Sequence, residues 1–460
     1  MSTNNDRKLP MRVKLGYPLM NVAPTLQMLI QMYFLLMFYT NYLGISGTAA
    51  AIIVMIARIW DFINDPIMGI ILEKSRRPKK CIFFIRCAIV PVAIFIVLCY
   101  TAPHLSYNLK VVWAAVTFIC LGMSQTVFSI SKDSLRPKLT SNNVERAKLN
   151  TYDSIFNTIV NAAVPAITMP LVGWLSGFGE ASAFTKIAAI YAVVYMIVGF
   201  VGVYLCAPFD VEEEEELRSG SSLKASEMIK ALLTNKPALC VILVQVVKML
   251  LSSIGGSVMI YFCTYNLGDP NVMSISSTIS TFTGLIPVLL LVPLYKKFGN
   301  AGTAMLGSVI AGGGFLVMFV TGCPTGTTYI VWNVIGGIGV TMATAALPQV
   351  TMDCIDYNEW KTGHKNTSVI MSAYGIGTKI GLAFGTSIAG LVIGAVEFDP
   401  NAAVQPEPVL NAFFHLSVTI QMFVYVAIFL LMLFVYRIEK KLPEMRKEVE
   451  ARKNELQAGA

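Results

Sequence analysis

Apolar runs of about 20 residues follow one another along the chain, each closed by a short polar break. A helix of that length rises about 1.5 Å per residue and spans a hydrocarbon layer about 30 Å thick. The pattern predicts spans at 19–43, 48–72, 81–102, 111–131, 155–174 and 187–207, then at 238–267, 275–295, 301–320, 329–352, 367–396 and 413–436. The longest polar segment, 208–237, carries the glutamate run 212–216 and falls between the sixth and seventh spans, where it reads as a solvated linker.

Composition agrees. Of 460 residues, 55% are hydrophobic and 13% charged, against about 25% charged in a soluble chain. Most of the chain therefore sits in a medium that penalises charge. The first fourteen residues are polar and basic, and the first apolar run is too long for a cleavable signal peptide and lacks a cleavage site. Lys and Arg occupy alternate breaks. Lys74, Arg76, Arg77, Lys79 and Lys80 fill the second, Arg136, Lys138, Arg146 and Lys148 the fourth, and Arg218, Lys224, Lys230 and Lys236 the sixth. Lys296 and Lys297 follow in the eighth, Lys361 and Lys365 in the tenth, and Arg437, Lys440 and Lys441 in the tail. The other breaks carry little positive charge beyond Lys110 and Lys186 at their edges, and the last is acidic, with Glu397, Asp399 and Glu407. Positive residues stay cytoplasmic, so both termini are expected in the cytoplasm of a multi-pass protein of the cell (inner) membrane. The net charge of +8 follows this topology and does not point to nucleic acid.

Six spans, a charged linker and six more predict an all-α polytopic membrane protein of twelve transmembrane helices, a major facilitator fold of two six-helix halves. The boundaries are 1–207 for the first half, 208–237 for the linker, 238–436 for the second half and 437–460 for a cytoplasmic tail. Nine cysteines without a CxxC pair and three scattered histidines support neither a metal cluster nor a disulfide framework. With no nucleophile constellation or folded soluble domain, an enzyme is not expected, and no cofactor is implied.

Ionisable residues inside spans are costly and mark function. The second span contains Arg58, Asp61, Asn64 and Asp65, the last three at i, i+3 and i+4 on one helical face. Two carboxylates and an amide oxygen at that spacing suit a small hard cation. The same pair can hold a proton, because two close carboxylates in a low dielectric do not both ionise. Arg58 can balance one of them. The plain alternative is a set of salt bridges that only locks helices together. Lys379, about 20 Å into the eleventh span, needs an anionic partner. It reads either as a charge-balance switch that pairs with the carboxylates or as a fixed bridge. Lys248 in the seventh span meets an anionic substrate, pairs with a buried acid, or snorkels. Glycines are dense in the tenth and eleventh spans (Gly336, Gly337, Gly339, Gly375, Gly377, Gly381, Gly385), which permits close helix approach.

The segment Ala57-Arg-Ile-Trp-Asp-Phe-Ile-Asn-Asp-Pro-Ile-Met-Gly69 resembles the second-helix signature of the glycoside–pentoside–hexuronide:cation symporter family. Lys14-Leu-Gly-Tyr17, Tyr39-Thr-Asn-Tyr-Leu-Gly44, the stretch from Met352 to Lys361 and Gly377-Thr-Lys379-Ile-Gly381 resemble further family motifs, so the likeness covers nearly the whole chain. The resemblance implies that Asp61, Asn64, Asp65 and Thr126 bind Na⁺, Li⁺ or H⁺, with Lys379 and Arg58 in charge balance. The family's sugar-contacting positions fall on Thr25, Ser129, Asp133 and Ser154, all changed from the galactoside pattern. Lys132, Asp133 and Asp153 can accept a differently decorated glycoside, a pentoside or a hexuronide. Lys132 and Lys248 tilt the reading toward an acidic sugar.

The expected function is thus cation-coupled sugar symport by alternating access, with a small sugar, a monovalent cation and the bilayer as partners. The alternative is a cation-coupled carrier of a non-sugar solute such as a lysolipid.

Overall fold

In a computed structural model, residues 9–139, 143–175, 180–210, 235–363, 367–396, 398–402, 404–434 and part of 436–452 are described. The glutamate run, most of the linker and most of the tail expected from the sequence lie outside the described residues.

Every regular element described is helical. The first unit contains α1 (Met11–Ile30, continued through π turns Gln31–Leu35 and Phe38–Leu43), α2 (Gly47–Lys74), α3 (Lys80–Cys99), α4 (Tyr107–Leu139), α5 (Asn143–Leu175) and α6 (Ala181–Cys206). After it come α7 (Lys236–Tyr261), α8 (Asn271–Leu289), α9 (Leu291–Thr321), α10 (Gly326–Thr362), α11 (Thr367–Ala395) and α12 (Glu407–Phe434). Among the described residues, eleven helices are long and apolar enough to cross a membrane. The twelfth, α1, packs lengthwise on α5 and α6.

The chain forms two compact units, 1–220 with 386–409, and 221–385 with 410–460. In the first, α1 packs on α5 and α6, α3 on α4 and α6, and α2 on α4. In the second, α9 packs on α10 and α12, α10 on α8, and α7 on α12.

Helix ends follow local chemistry. The Ser46 hydroxyl accepts from the Ala49 N–H at 3.2 Å and starts α2, and Asn235 accepts from Ala238 N–H at 3.0 Å to start α7. Gly44, with φ of 74°, closes the first helix in the left-handed region. The sequence expectation places a break at 296–300, and the helical stretch that starts at Leu291 is interrupted there. The backbone leaves helical geometry only at Gly299, with φ of 77°, a conformation that glycine alone adopts without strain. Asn300, the next residue, donates to the buried Asp353 carboxylate at 2.8 Å, which ties this kink to α10. Helices α4, α5 and α10 also outrun the expected spans, because the apolar pattern marks only the part inside lipid.

On α2 the exposed residues Ile52, Ile56, Ile59, Ile63, Ile67 and Ile70 form one stripe. A continuous exposed isoleucine face is what lipid contact requires. Ile63 and Ile59 lie on the side of the helix opposite Asp61, so lipid takes one face and chemistry the other.

Candidate functional site

The α2 carboxylates turn toward α4. An ideal Cβ at Gly122 would stand 2.5 Å from Asp61 Oδ1, so the absence of a side chain there is what admits the carboxylate. One turn further along α4, the buried Thr126 hydroxyl donates to Asp65 Oδ1 at 3.0 Å. Gly122 and Thr126 are i, i+4 on α4 and meet Asp61 and Asp65, i, i+4 on α2, so two turns of each helix are in register. Asn64 adjoins Asp65 and is half-buried. The Arg58 guanidinium donates through Nη1 to Asp61 Oδ2 at 3.2 Å and through Nη2 to Gln31 Oε1 at 3.4 Å, and lies 5.7 Å from the Phe118 ring centroid. The structure therefore brings Asp61, Asp65, Thr126 and Arg58 together in the first unit. Gly122 and Gln31 are additions that spacing alone does not single out.

A second polar group sits on α1, α4 and α5. Thr25 donates to Asn157 Oδ1 at 2.6 Å, and Gln125 donates to Ser129 Oγ at 3.1 Å while accepting from the Tyr195 hydroxyl at 3.0 Å. Lys132 is buried; its ammonium donates to Asn21 Oδ1 and pairs with Asp133 Oδ1 at 3.2 Å. The same Asn21 amide donates to Asp153 Oδ1 at 2.9 Å. Asp133 and Ser154 are exposed, whereas Thr25, Ser129, Asp153 and Asn157 are half-buried. Of the expected substrate residues, Thr25, Ser129 and Asp133 thus enter this network. Asn21 and Asn157 join it although sequence reasoning did not name them; asparagines inside an apolar span were the available signal.

Lys248 and Lys379 belong to the second unit. Lys248 is 4% exposed on α7, and Lys379 is exposed on α11. Near Lys248 on the same helix, Gln245 donates to Thr378 on α11 at 2.9 Å. Gly377, Gly381 and Gly385 of the eleventh span face α7: a Cβ on Gly381 would meet the Val246 carbonyl at 2.5 Å and one on Gly385 the Leu250 carbonyl at 2.3 Å. Among the described residues no group of three or more His, Cys, Asp or Glu side chains is placed to hold a metal ion.

Membrane-crossing helices with ionisable and amide side chains on their lipid-averted faces fit a multi-pass transporter. The chain belongs to the MFS/sugar transport protein family, whose profile matches residues 16–440, in keeping with the motifs of the second, tenth and eleventh helices. It is 29% identical to the isoprimeverose transporter of Lactiplantibacillus pentosus over 98% of this chain and 93% of that one. It is 26% identical to the inner membrane symporter YicJ of Escherichia coli strain K12 over 85% of this chain and 84% of that one. Among solved structures, a D-xylose-proton symporter superposes with a TM-score of 0.66 over 91% of this chain and 97% of its own, at 12% identity, a likeness of fold alone.

Proposed function

We propose that the protein is a cation:sugar symporter of the inner membrane, that it works by alternating access, and that Asp61, Asn64, Asp65 and Thr126 hold the coupling ion. The observation that carries this reading is the seating of the two α2 carboxylates on Gly122 and Thr126 of α4. Carboxylate, amide and hydroxyl oxygens at adjacent turns suit Na⁺ or Li⁺. The same pair can carry a proton instead. A cation at Asp61 competes with the Arg58 bond, which makes Arg58 a charge-balance partner. Lys379 is the second charge-balance residue in this reading. The alternate loading of Lys and Arg supports cytoplasmic termini.

Support for a hydroxylated cargo comes from α5, where Asp153, Ser154, Asn157, Thr158 and Asn161 form a stripe of half-buried and exposed polar residues inside a membrane span. Such a stripe does not face lipid and suits water and sugar better than an acyl chain. The test is uptake of labelled glycosides in proteoliposomes, with Na⁺, Li⁺ and pH gradients imposed one at a time. Asp61→Cys and Asp65→Cys are each expected to abolish cation-stimulated uptake. Either variant retaining an unchanged cation dependence would remove the site assignment.

A further inference from the structure

The lipid-facing stripe of α2 ends in charge. Ile63, Ile67, Ile70 and Ile71 are exposed, and the exposed Lys74 continues the same face into the last turn. Helix α3 repeats the arrangement. Val90 and Ile94 are exposed one turn apart, and Arg86, one turn before them, is exposed on the same face. An arginine on a lipid-facing stripe, about 9 Å beyond the first residue of α3, reaches back to the polar boundary.

Between the two ends lies the turn Ser75-Arg-Arg-Pro-Lys79, in which Arg76, Arg77 and Lys79 are exposed. Lys79 takes a left-handed backbone with φ of 51°, so α3 starts at once at Lys80 and the turn stays tight. The Arg77 guanidinium lies 4.3 Å from the Phe83 ring centroid, which steadies its plane and leaves the N–H groups at its edge free. Residues 73–86 carry six basic side chains, Lys80 included, and one acid, Glu73. Among the described residues Lys74, Arg76, Lys79 and Arg86 make no side-chain hydrogen bond or ion pair. Asp210, which takes the Ile82 N–H at the head of α3, is already paired with Lys138.

The surface below the turn is apolar. Helices α2 and α3 each pack on α4 and not lengthwise on one another. On the α2 side a notch of about 190 Å³ is lined by Ile56, Ile59, Trp60, Ile63 and Ile119. Ile63 stands eleven residues before Lys74, about 16 Å along the helix and so about one leaflet deep, half of a roughly 30 Å hydrocarbon layer. An apolar face alone suits any lipid; exposed cations above it suit one with an anionic head.

We propose that Lys74, Arg76, Arg77, Lys79 and Arg86 form a binding site for an anionic phospholipid, with one acyl chain lying along α2 into the notch. The arginines fork the phosphate oxygens, and the lysines add point charge. The topology proposed above puts this end in the cytoplasmic leaflet, whose anionic lipids make its surface negative. The positive-inside rule accounts for charges in the turn; it calls neither for Arg86 on a lipid-facing stripe nor for the notch.

The experiment uses the full chain in phosphatidylcholine vesicles, with the probe lipid in both leaflets, so the outcome depends on neither orientation nor transport. The probes are phosphatidylglycerol and phosphatidylcholine with brominated acyl chains, which quench tryptophan fluorescence on contact. The Trp60 share is the part of the signal lost in Trp60→Phe. Wild type is expected to reach half-maximal quenching of Trp60 with about fivefold less brominated phosphatidylglycerol than brominated phosphatidylcholine. Most of that preference is expected to disappear in salt of about 1 M. Arg76→Gln combined with Arg77→Gln keeps Lys74, Lys79 and Lys80 for topology and is expected to cut the preference to about twofold or less. Should this double variant fail to fold, as judged by its melting in detergent, Arg86→Gln takes its place, with the preference expected to fall at least by half. Equal quenching by the two lipids in wild type overturns the site, as does a preference that salt or the variant leaves unchanged. Quenching that is the same with and without Trp60 shows that no chain enters the notch, and overturns it as well. None of these outcomes bears on cation:sugar symport.

Discussion

A methyl group at position 122 would lie 2.5 Å from Asp61 Oδ1, inside any normal contact distance, so the carboxylate has to swing away from α4 to make room. Because Asp61 and Asp65 are one turn apart on a single helix, moving one of them changes the spacing of the whole oxygen set. Gly122→Ala is therefore expected to weaken the coupling ion about tenfold, equivalent to ~1.4 kcal/mol, with sugar affinity at saturating cation little changed. Initial uptake rates against cation concentration measure both quantities, and an unshifted cation curve would show that Asp61 is not a ligand. The spacing of Asp61, Asn64 and Asp65 was legible without a structure, since three polar residues on one helical face of an apolar run have few readings. Their partners were not legible from spacing, and Thr126 was named only through the family resemblance. Thr126 meets Asp65 across 61 positions and Asn21 meets Asp153 across 132, and no local periodicity encodes which helices lie side by side. Gly122 is harder still, because what it contributes is the side chain it lacks.

Elements of the first unit are fixed at one end by ion pairs onto two buried carboxylates. Glu145, at the start of α5, is almost fully buried; it receives Lys14 of α1 at 2.7 Å, Lys148 at 2.8 Å and the Leu9 N–H at 3.2 Å. Asp210, after α6, likewise accepts from Lys138 of α4 at 2.8 Å and from the Ile82 N–H at the head of α3 at 3.0 Å. These charges read as topology signals in the sequence, and they prove also to be fasteners between helices. The hydrogen bonds from Lys14 and Lys148 hold the Glu145 carboxyl down to about 2, below the roughly 4.3 of an unperturbed glutamate. A depressed value in the folded state means that the stabilisation is complete above about pH 4.3 and fades as pH falls toward the folded value. Glu145→Gln is expected to lower the melting temperature of the detergent-solubilised protein at pH 7, and the gap from wild type is expected to close as pH drops from about 4.3 toward 2. A gap that stays constant with pH would mean that Glu145 acts through packing and not through its charge. Helix ends were the least legible part of the fold. Charged final turns such as 132–139 of α4 lie beyond the apolar run, and only their packing shows them to be helical.

At the scale of the molecule, the pairing in one unit recurs in the other: α1 on α6, α3 on α4 and α6, and α2 on α4 correspond to α7 on α12, α9 on α10 and α12, and α8 on α10. The sequence carries no residue-level trace of this repeat, because lipid-facing positions accept any apolar side chain and drift freely while the pairing persists. Within the first unit, α4 serves both polar groups. Gly122 and Thr126 face the α2 carboxylates, while Gln125, Ser129 and Lys132, on an adjoining face of the same turns, enter the network with α1 and α6. On the proposed reading, an ion that draws Asp61 and Asp65 closer together shifts the turns that carry Ser129 and Lys132, which would couple cation and sugar through α4. Linkage makes that coupling reciprocal: the factor by which cation tightens sugar binding equals the factor by which sugar tightens cation binding. A factor of about 5 to 150 is the usual range for such a coupling, ~1–3 kcal/mol. Calorimetric titration of the purified protein, with sugar at zero and saturating cation and with cation at zero and saturating sugar, measures both factors. Equal factors well above one are expected in wild type. In Gly122→Ala the cation binds more weakly but pulls on the same helix, so its intrinsic affinity falls while the two factors remain equal. Factors of one in both directions would uncouple the two polar groups, and would place energy conversion in a later step of the cycle than the binding equilibria of the first unit.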